Sequence, residues 1–149
     1  MPSASLAVSA CVGLYTVTLD DDATLLRAGA EQLDGLVVAG FGVGHVPEPL
    51  VPVLADLATR VPVILASRTA AGPVLTTTYG FPGSERDLIA HGLIPAGWLN
   101  PYKARVLLRT LLTSGVTRPT IAAAIAAAGG LNAPTAWPWP APAVPAPRS

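Results

Sequence analysis

Leu36–Glu48, LVVAGFGVGHVPE, is an apolar strand that runs into a glycine-dense turn, and the turn opens directly into a helix. Gly40, Gly42 and Gly44 allow backbone conformations and close approaches that a side chain would forbid. In an open α/β sheet, ligands sit at the carboxyl ends of the strands, so this junction sets the fold class and the candidate site together. The rest of the chain either supports this turn or faces it.

Upstream, Cys11–Leu19 is apolar, β-branched and aromatic, and reads as a first buried strand. Asp20, Asp21 and Asp22 mark a helix start, and Leu26, Ala30 and Leu33 recur at helical spacing up to Gly35. Downstream, Leu50, Val53, Leu54 and Leu57 form one helical stripe, with Pro47, Pro49 and Pro52 crowded into its beginning. Pro62–Ser67 is a third buried strand, Val74–Tyr79 a short extended piece, and Ser84–Asp87 (SERD) a capping-box variant that starts a short helix. Leu93–Pro95 is a fourth strand. Asn100 and Pro101 cap the longest helix, whose apolar face carries Ala104, Leu107, Leu108, Leu111 and Leu112, and a last alanine-rich helix runs from about Pro119 to Ala128.

The alternation predicts a small three-layer α/β domain, a four-stranded parallel sheet with helices on both faces, in the order 2-1-3-4. Residues 11–130 form this domain, 1–10 precede it as an extension, and 131–149 follow as a Pro/Ala/Trp-rich tail expected to be mobile and polyproline-like.

Net charge is zero and only 12% of residues are charged, which argues against nucleic acid as a partner. No apolar run approaches the roughly 20 residues that span a bilayer, and no basic n-region marks an export signal. The expected location is the cytoplasm, away from membranes. A single cysteine, Cys11, excludes an internal disulfide and a thiolate metal cluster, and two histidines give a metal site no support.

The glycines read G-x-G-x-G, with His45 where a dinucleotide fingerprint needs its third glycine, and the acidic residue expected about 20 positions later is absent. No nicotinamide cofactor is expected. His45 sits at the sheet mouth and could hydrogen-bond a ligand or act as a base, or could simply tie the turn to its neighbours. Glu85 follows the Ser84 cap, where the helix dipole alone would favour a carboxylate. No G-x-S-x-G occurs, and no spacing of hydroxyl and histidine defines a nucleophile with its base.

Three segments, GLVVAGFGVGHVPEPLVPVL (35–54), VPVILASRTAAGPV (61–74) and AGWLNPYKARVLLRTLL (96–112), resemble the C-terminal domain of the bacterial L-asparaginases, in the same order and over roughly Val12 to Gly115. That resemblance implies a hydrolase converting L-asparagine to aspartate and ammonia without cofactor, through a threonine nucleophile, in a homo-oligomer. The nucleophile's T-G-G-T context and its companion threonine, aspartate and lysine belong to a larger N-terminal domain and do not occur in these 149 residues. The chain therefore reads as the second domain without its N-terminal catalytic partner, inactive alone.

The resemblance further implies that this domain lends a neighbouring subunit a polar residue after the glycine turn and a carboxylate from a later loop. By position the first is His45, where the family pattern has asparagine, and the nearest candidate for the second is Glu85. Ser67, Arg68, Asn100, Lys103 and Arg105 are structural in this comparison. The alternative is a non-catalytic module that binds a small amino acid at the same mouth or regulates a longer relative. A face left without its N-terminal domain should promote association.

Overall fold

The computed structural model describes residues 9–69 and 71–138. Four strands, β1 (Val12–Thr16), β2 (Gly35–Gly40), β3 (Val63–Ser67) and β4 (Ile94–Pro95), form one all-parallel sheet. Between them lie α1 (Thr24–Gly29), α2 (Val51–Arg60) and α3 (Glu85–Ala90), and after them α4 (Pro101–Thr113) and α5 (Arg118–Ala128). The predicted α/β class and parallel four-stranded sheet are present.

The strand order is β1-β2-β3-β4 and not 2-1-3-4. Each strand joins the side of the sheet opposite to its predecessor's other neighbour, so the sheet grows in one direction. Right-handed crossovers that always advance the same way lay their helices on the same face. Leu26, Leu50, Leu54, Leu57 and Leu88 of the crossover segments accordingly share one core with Leu36, Val38, Val63 and Leu65. The opposite face is closed by the two helices that follow β4, with Ala104, Leu108, Leu111, Ile121 and Ile125 against Val37 and Ile64. Successive side chains of a strand point to opposite faces, which is why neighbours in β2 and β3 divide between the two cores.

Burial explains the order. β2 is buried along its whole length and β3 along all but its last residue, whereas Gly13, Leu14 and Tyr15 of β1 are half-buried and Thr16 is exposed. The order 2-1-3-4 would have placed β1 in the interior, where those intermediate exposures would not arise. Without a reversal of strand order there is no switch point, and the candidate site must be located by its side chains.

Two further expectations change. The aspartates do not begin α1: Asp21 and Asp22 accept the amides of Ala23 and Thr24 at 2.9 Å, while Asp21 also receives the Tyr15 hydroxyl, so they turn the chain ahead of a helix that starts at Thr24. Val74–Tyr79 forms no strand; Val74 and Leu75 donate to Gly97 and Val43 in a loop crossing the carboxyl end of the sheet. The Asn100 cap is as expected, its Oδ1 accepting the Lys103 amide at 2.9 Å. Asn100→Ala should cost about 1 kcal/mol, read as a lower urea midpoint with an unchanged slope.

Residues 1–8 and 139–149, and with them most of the expected extension and the greater part of the tail, lie outside the described residues. Among the described residues no helix is long and apolar enough to cross a membrane.

Candidate functional site

β2 ends at Gly40, and the chain doubles back within five residues. The Phe41 amide donates to the His45 carbonyl at 2.7 Å, and the amides of Gly44 and His45 return to the Phe41 carbonyl at 2.9 Å. Gly44 has φ +113°, in the left-handed region that a side chain rarely adopts. This hairpin-like loop lifts the His45 side chain to the carboxyl end of the sheet, where it is 23% exposed.

A second loop is fastened against the first. Val46 donates to the Gly83 carbonyl at 2.9 Å. Ser84 caps α3: its hydroxyl donates to the Tyr79 carbonyl at 3.0 Å and its oxygen accepts the Asp87 amide, while Asp87 reaches back to the Gly83 amide at 2.8 Å. The predicted capping box is therefore formed, with the reciprocal bond landing one residue earlier than the usual one.

This scaffold inserts Glu85 into the molecule, and its side chain is fully buried. Oε1 accepts the amides of Thr78 and Tyr79 at 2.9 and 2.7 Å, and Oε2 lies 3.1 Å from His45 Nε2. Burial alone would raise the carboxyl's pKa, but the amides of Tyr79, Glu85 and Thr78 and the His45 ring outweigh it and hold the group below its ordinary value. Glu85 is thus a carboxylate at neutral pH. Because a carboxylate only accepts, His45 presents an N–H from Nε2 to it, and in the neutral ring Nδ1 is then the acceptor. No described residue bonds Nδ1, and no buried side-chain nitrogen or oxygen lacks a partner, so Nδ1 opens to solvent.

The imidazole is held edge-to-face by two rings, Tyr79 with centroids 5.0 Å apart at 86° and Phe81 at 4.9 Å and 74°. An oriented imidazole backed by a buried carboxylate and flanked by two aromatic rings can accept a hydrogen bond from an ammonium or amide group. The lowered Glu85 pKa sets a sign for pH dependence: the unfolded chain takes up this proton first as pH falls. Its contribution to stability is present above the ordinary carboxyl value of 4.5 and disappears as pH falls through the folded-state value. Unfolding midpoints of the wild type should fall across that acidic window more steeply than those of Glu85→Gln.

Residues 11–125 match the family described as Glutaminase/Asparaginase C-terminal domain. The chain belongs to that family. It is 50% identical over 95 residues to a probable L-asparaginase of Deinococcus radiodurans, covering 63% of this chain and 29% of the relative. It is 40% identical over 81 residues to L-asparaginase 2 of Escherichia coli K12, covering 54% and 22%. Over 104 residues it is 32% identical to an L-asparaginase of Bacillus licheniformis, covering 69% and 32%. The chain spans less than a third of the length of these relatives.

Within this asparaginase-family domain, the two residues singled out from sequence, His45 and Glu85, meet across 40 positions of chain. Ser67, Arg68 and Arg105, three further polar residues of the resemblance, have structural partners. Ser67 bonds the Gly42 carbonyl and Thr69; Arg68 lies 4.3 Å over the Phe41 ring and donates to the Val17 carbonyl at 3.0 Å; Arg105 Nε donates to the Val12 carbonyl at 2.9 Å. His91 closes α3, bonded to the Asp87 carbonyl at 2.8 Å. Among the described residues no three of His, Cys, Asp and Glu gather as a metal-ligand set.

Sequence reasoning missed Tyr79 and Phe81, which hold the imidazole, and the Thr78 and Tyr79 amides, which hold the carboxylate. The available signal was the Tyr79-x-Phe81 pair a few residues ahead of Glu85. It also offered the helix dipole as a sufficient account of Glu85, and the full burial of that side chain shows that the dipole is not the whole explanation.

Proposed function

We propose that this domain supplies the amino-group-recognising part of an L-asparaginase-type amidohydrolase site, in which His45 and Glu85 serve a neighbouring subunit. The reaction is hydrolysis of L-asparagine to L-aspartate and ammonia, and the threonine nucleophile is provided from outside these 149 residues. The observation that carries the reading is the buried Glu85 carboxylate, satisfied by two amides and aimed at a partly exposed histidine. An ammonium group beside such a pair finds an acceptor at Nδ1 and a fixed negative charge behind it. Membership of the family supports the substrate class, and the L-asparaginase names of these relatives agree with it.

Nucleophilic catalysis needs an activated hydroxyl with its base in reach. The isolated chain is therefore inactive on this reading, and an ammonia-release assay with L-asparagine should stay at the background rate. Adding an asparaginase N-terminal domain should create turnover that His45→Ala reduces, mainly through KM. Clear turnover by the chain alone, or a reconstituted activity indifferent to His45, would sink the reading.

A second reading is a non-catalytic module that binds a small amino acid. One observation favours it: the His45, Glu85, Tyr79 and Phe81 constellation is complete within a single chain. Calorimetry separates the two, since saturable binding of asparagine or aspartate to the lone domain belongs to the module. Assembly into a homo-oligomer is part of the first reading, and sedimentation of the isolated chain tests it.

A further inference from the structure

We propose that the open edge of β1 pairs with the same edge of a second copy of this chain, antiparallel and centred on Leu14, so that two domains share one continuous sheet. The proposal starts from a difference between the two edges of the sheet. β4 is two residues long, and one of them, Pro95, has no amide to donate, so that edge is blunted against further pairing. β1 has five residues, VGLYT, with neither a charge nor a proline among them. Nothing among the described residues pairs with its outer side.

The backbone along that side is open. The Cys11 carbonyl accepts the Asp34 amide and the Val17 amide donates to the Ala39 carbonyl, so the odd-numbered residues of this stretch face β2. Alternate residues of a strand direct their backbone groups to opposite sides, which turns Val12, Leu14 and Thr16 outward. The Val12 carbonyl accordingly accepts Arg105 Nε from α4. No described residue outside the sheet bonds the amides or carbonyls of Leu14 and Thr16.

Both helical layers leave apolar side chains beside this edge. A groove of about 720 Å³ follows it, lined by Leu14, Thr16, Asp20 and Leu25, and a smaller hollow is lined by Leu14, Thr16 and Tyr102. Leu25 is 75% exposed and Tyr102 74%. A twofold axis normal to a shared sheet keeps each layer on its own side, so Leu25 is covered by α1 of the second copy and Tyr102 by its α4.

Charge selects the occupant. Arg105 and Arg109 stand at the amino end of the edge, bonded to Val12 and Ser9, and neither has an acidic partner among the described residues. Asp20 stands at the carboxyl end with no cationic partner among them. Centring on Leu14 lets the two Leu14 residues exchange amide and carbonyl, gives each Thr16 amide the Val12 carbonyl of the other copy, and sets Ser9 opposite Leu19. Arg109 then reaches Asp20 of the second copy, twice by symmetry, whereas parallel addition would set like charge beside like.

Nothing in this proposal uses His45 or Glu85, so it goes beyond the asparaginase reading. The test is sedimentation and hydrogen exchange on the full chain. A dimer that dissociates on dilution is expected, with exchange protection of the Leu14 and Thr16 amides rising with concentration. Thr16→Pro removes an outward amide where an edge tolerates proline, and should weaken the dimer about tenfold or more, since symmetry deletes two hydrogen bonds. Thr16→Val keeps the amide and should change the dissociation constant by no more than about twofold. Asp20→Asn, which suits the positive φ of 58° there, should weaken the dimer and flatten its salt dependence, and decides the matter if Thr16→Pro does not fold. A monomer at about 0.5 mM, or Leu14 and Thr16 amides already protected in the monomer, would overturn the proposal. So would a dimer indifferent to Thr16→Pro and Asp20→Asn, although the homo-oligomer of the asparaginase reading would then survive on another surface.

Discussion

Glu85→Ala should lower the stability of this domain by about 3 kcal/mol and its Tm by roughly 10 °C, a large effect for a side chain at the mouth of a sheet. The reason lies behind the histidine. Glu85 Oε1 is the acceptor for the amides of Thr78 and Tyr79, and alanine would take that charged acceptor away from both. It would also strand His45 Nε2, which has Glu85 as its partner. Glu85→Gln keeps an amide oxygen for the two backbone donors and should cost about 1 kcal/mol, mostly through the lost charge. Its NH2 group, however, meets His45 Nε2 as a donor and forces the proton onto Nδ1. The glutamine variant should therefore be folded yet poor at accepting a hydrogen bond from a ligand. Equal thermal midpoints for the two variants would show that the backbone amides do not depend on this carboxylate.

Gly83→Ala should be at least as damaging, at about 3 kcal/mol or more, although it adds a single methyl group. Gly83 has φ +85°, and a Cβ there would stand 2.3 Å from the Val46 carbonyl oxygen. Both obstacles are backbone, so neither can move aside cheaply. The loop carrying Tyr79 and Phe81 would have to separate from the loop carrying His45, and the Val46 to Gly83 hydrogen bond would go with it. Gly72→Ala is the matched control: its φ is +82°, but nothing lies within 4 Å of the added carbon, so only the conformational penalty remains, about 1 kcal/mol. Urea titrations of the two variants should differ by about 2 kcal/mol. If they coincide, the close approach at Gly83 is not what clamps the two loops together.

Much of this architecture is legible in the chain because local signals agree with one another. The apolar runs of β2 and β3, the Asn100-Pro101 start of α4 and the Ser84 cap of α3 each announce themselves within a few residues. Strand order is a different kind of information. Which side of β1 receives β2 is decided by how helices share the two faces, and no short window contains it. The milder apolarity of β1, with Tyr15 and Thr16, was the one local hint that it lies at an edge.

The site divides in the same way. His45 and Glu85 could each be singled out, but separately each also had an ordinary structural explanation. Their pairing depends on a loop folding across the sheet end, and the anchors of that loop are mostly backbone groups: Val46 to Gly83, Thr78 and Tyr79 to Glu85. Backbone donors carry no residue-type signature, so neither the burial of Glu85 nor its pairing could be read from the residues that supply them.

The one-directional growth of the sheet also bears on how the domain assembles. β1 with β2, β2 with β3 and β3 with β4 pair only sequence neighbours, so each crossover closes a modest loop whose entropy cost is small. The exception is α4, which must return across the whole sheet to reach β1, where Arg105 and Val12 meet over a separation of 93 residues. The long-range closure thus comes late in the chain, after every strand has been synthesised. A nascent polypeptide can build the sheet and the first helical layer while its second face, Val37 and Ile64 included, still awaits the lid that α4 and α5 provide.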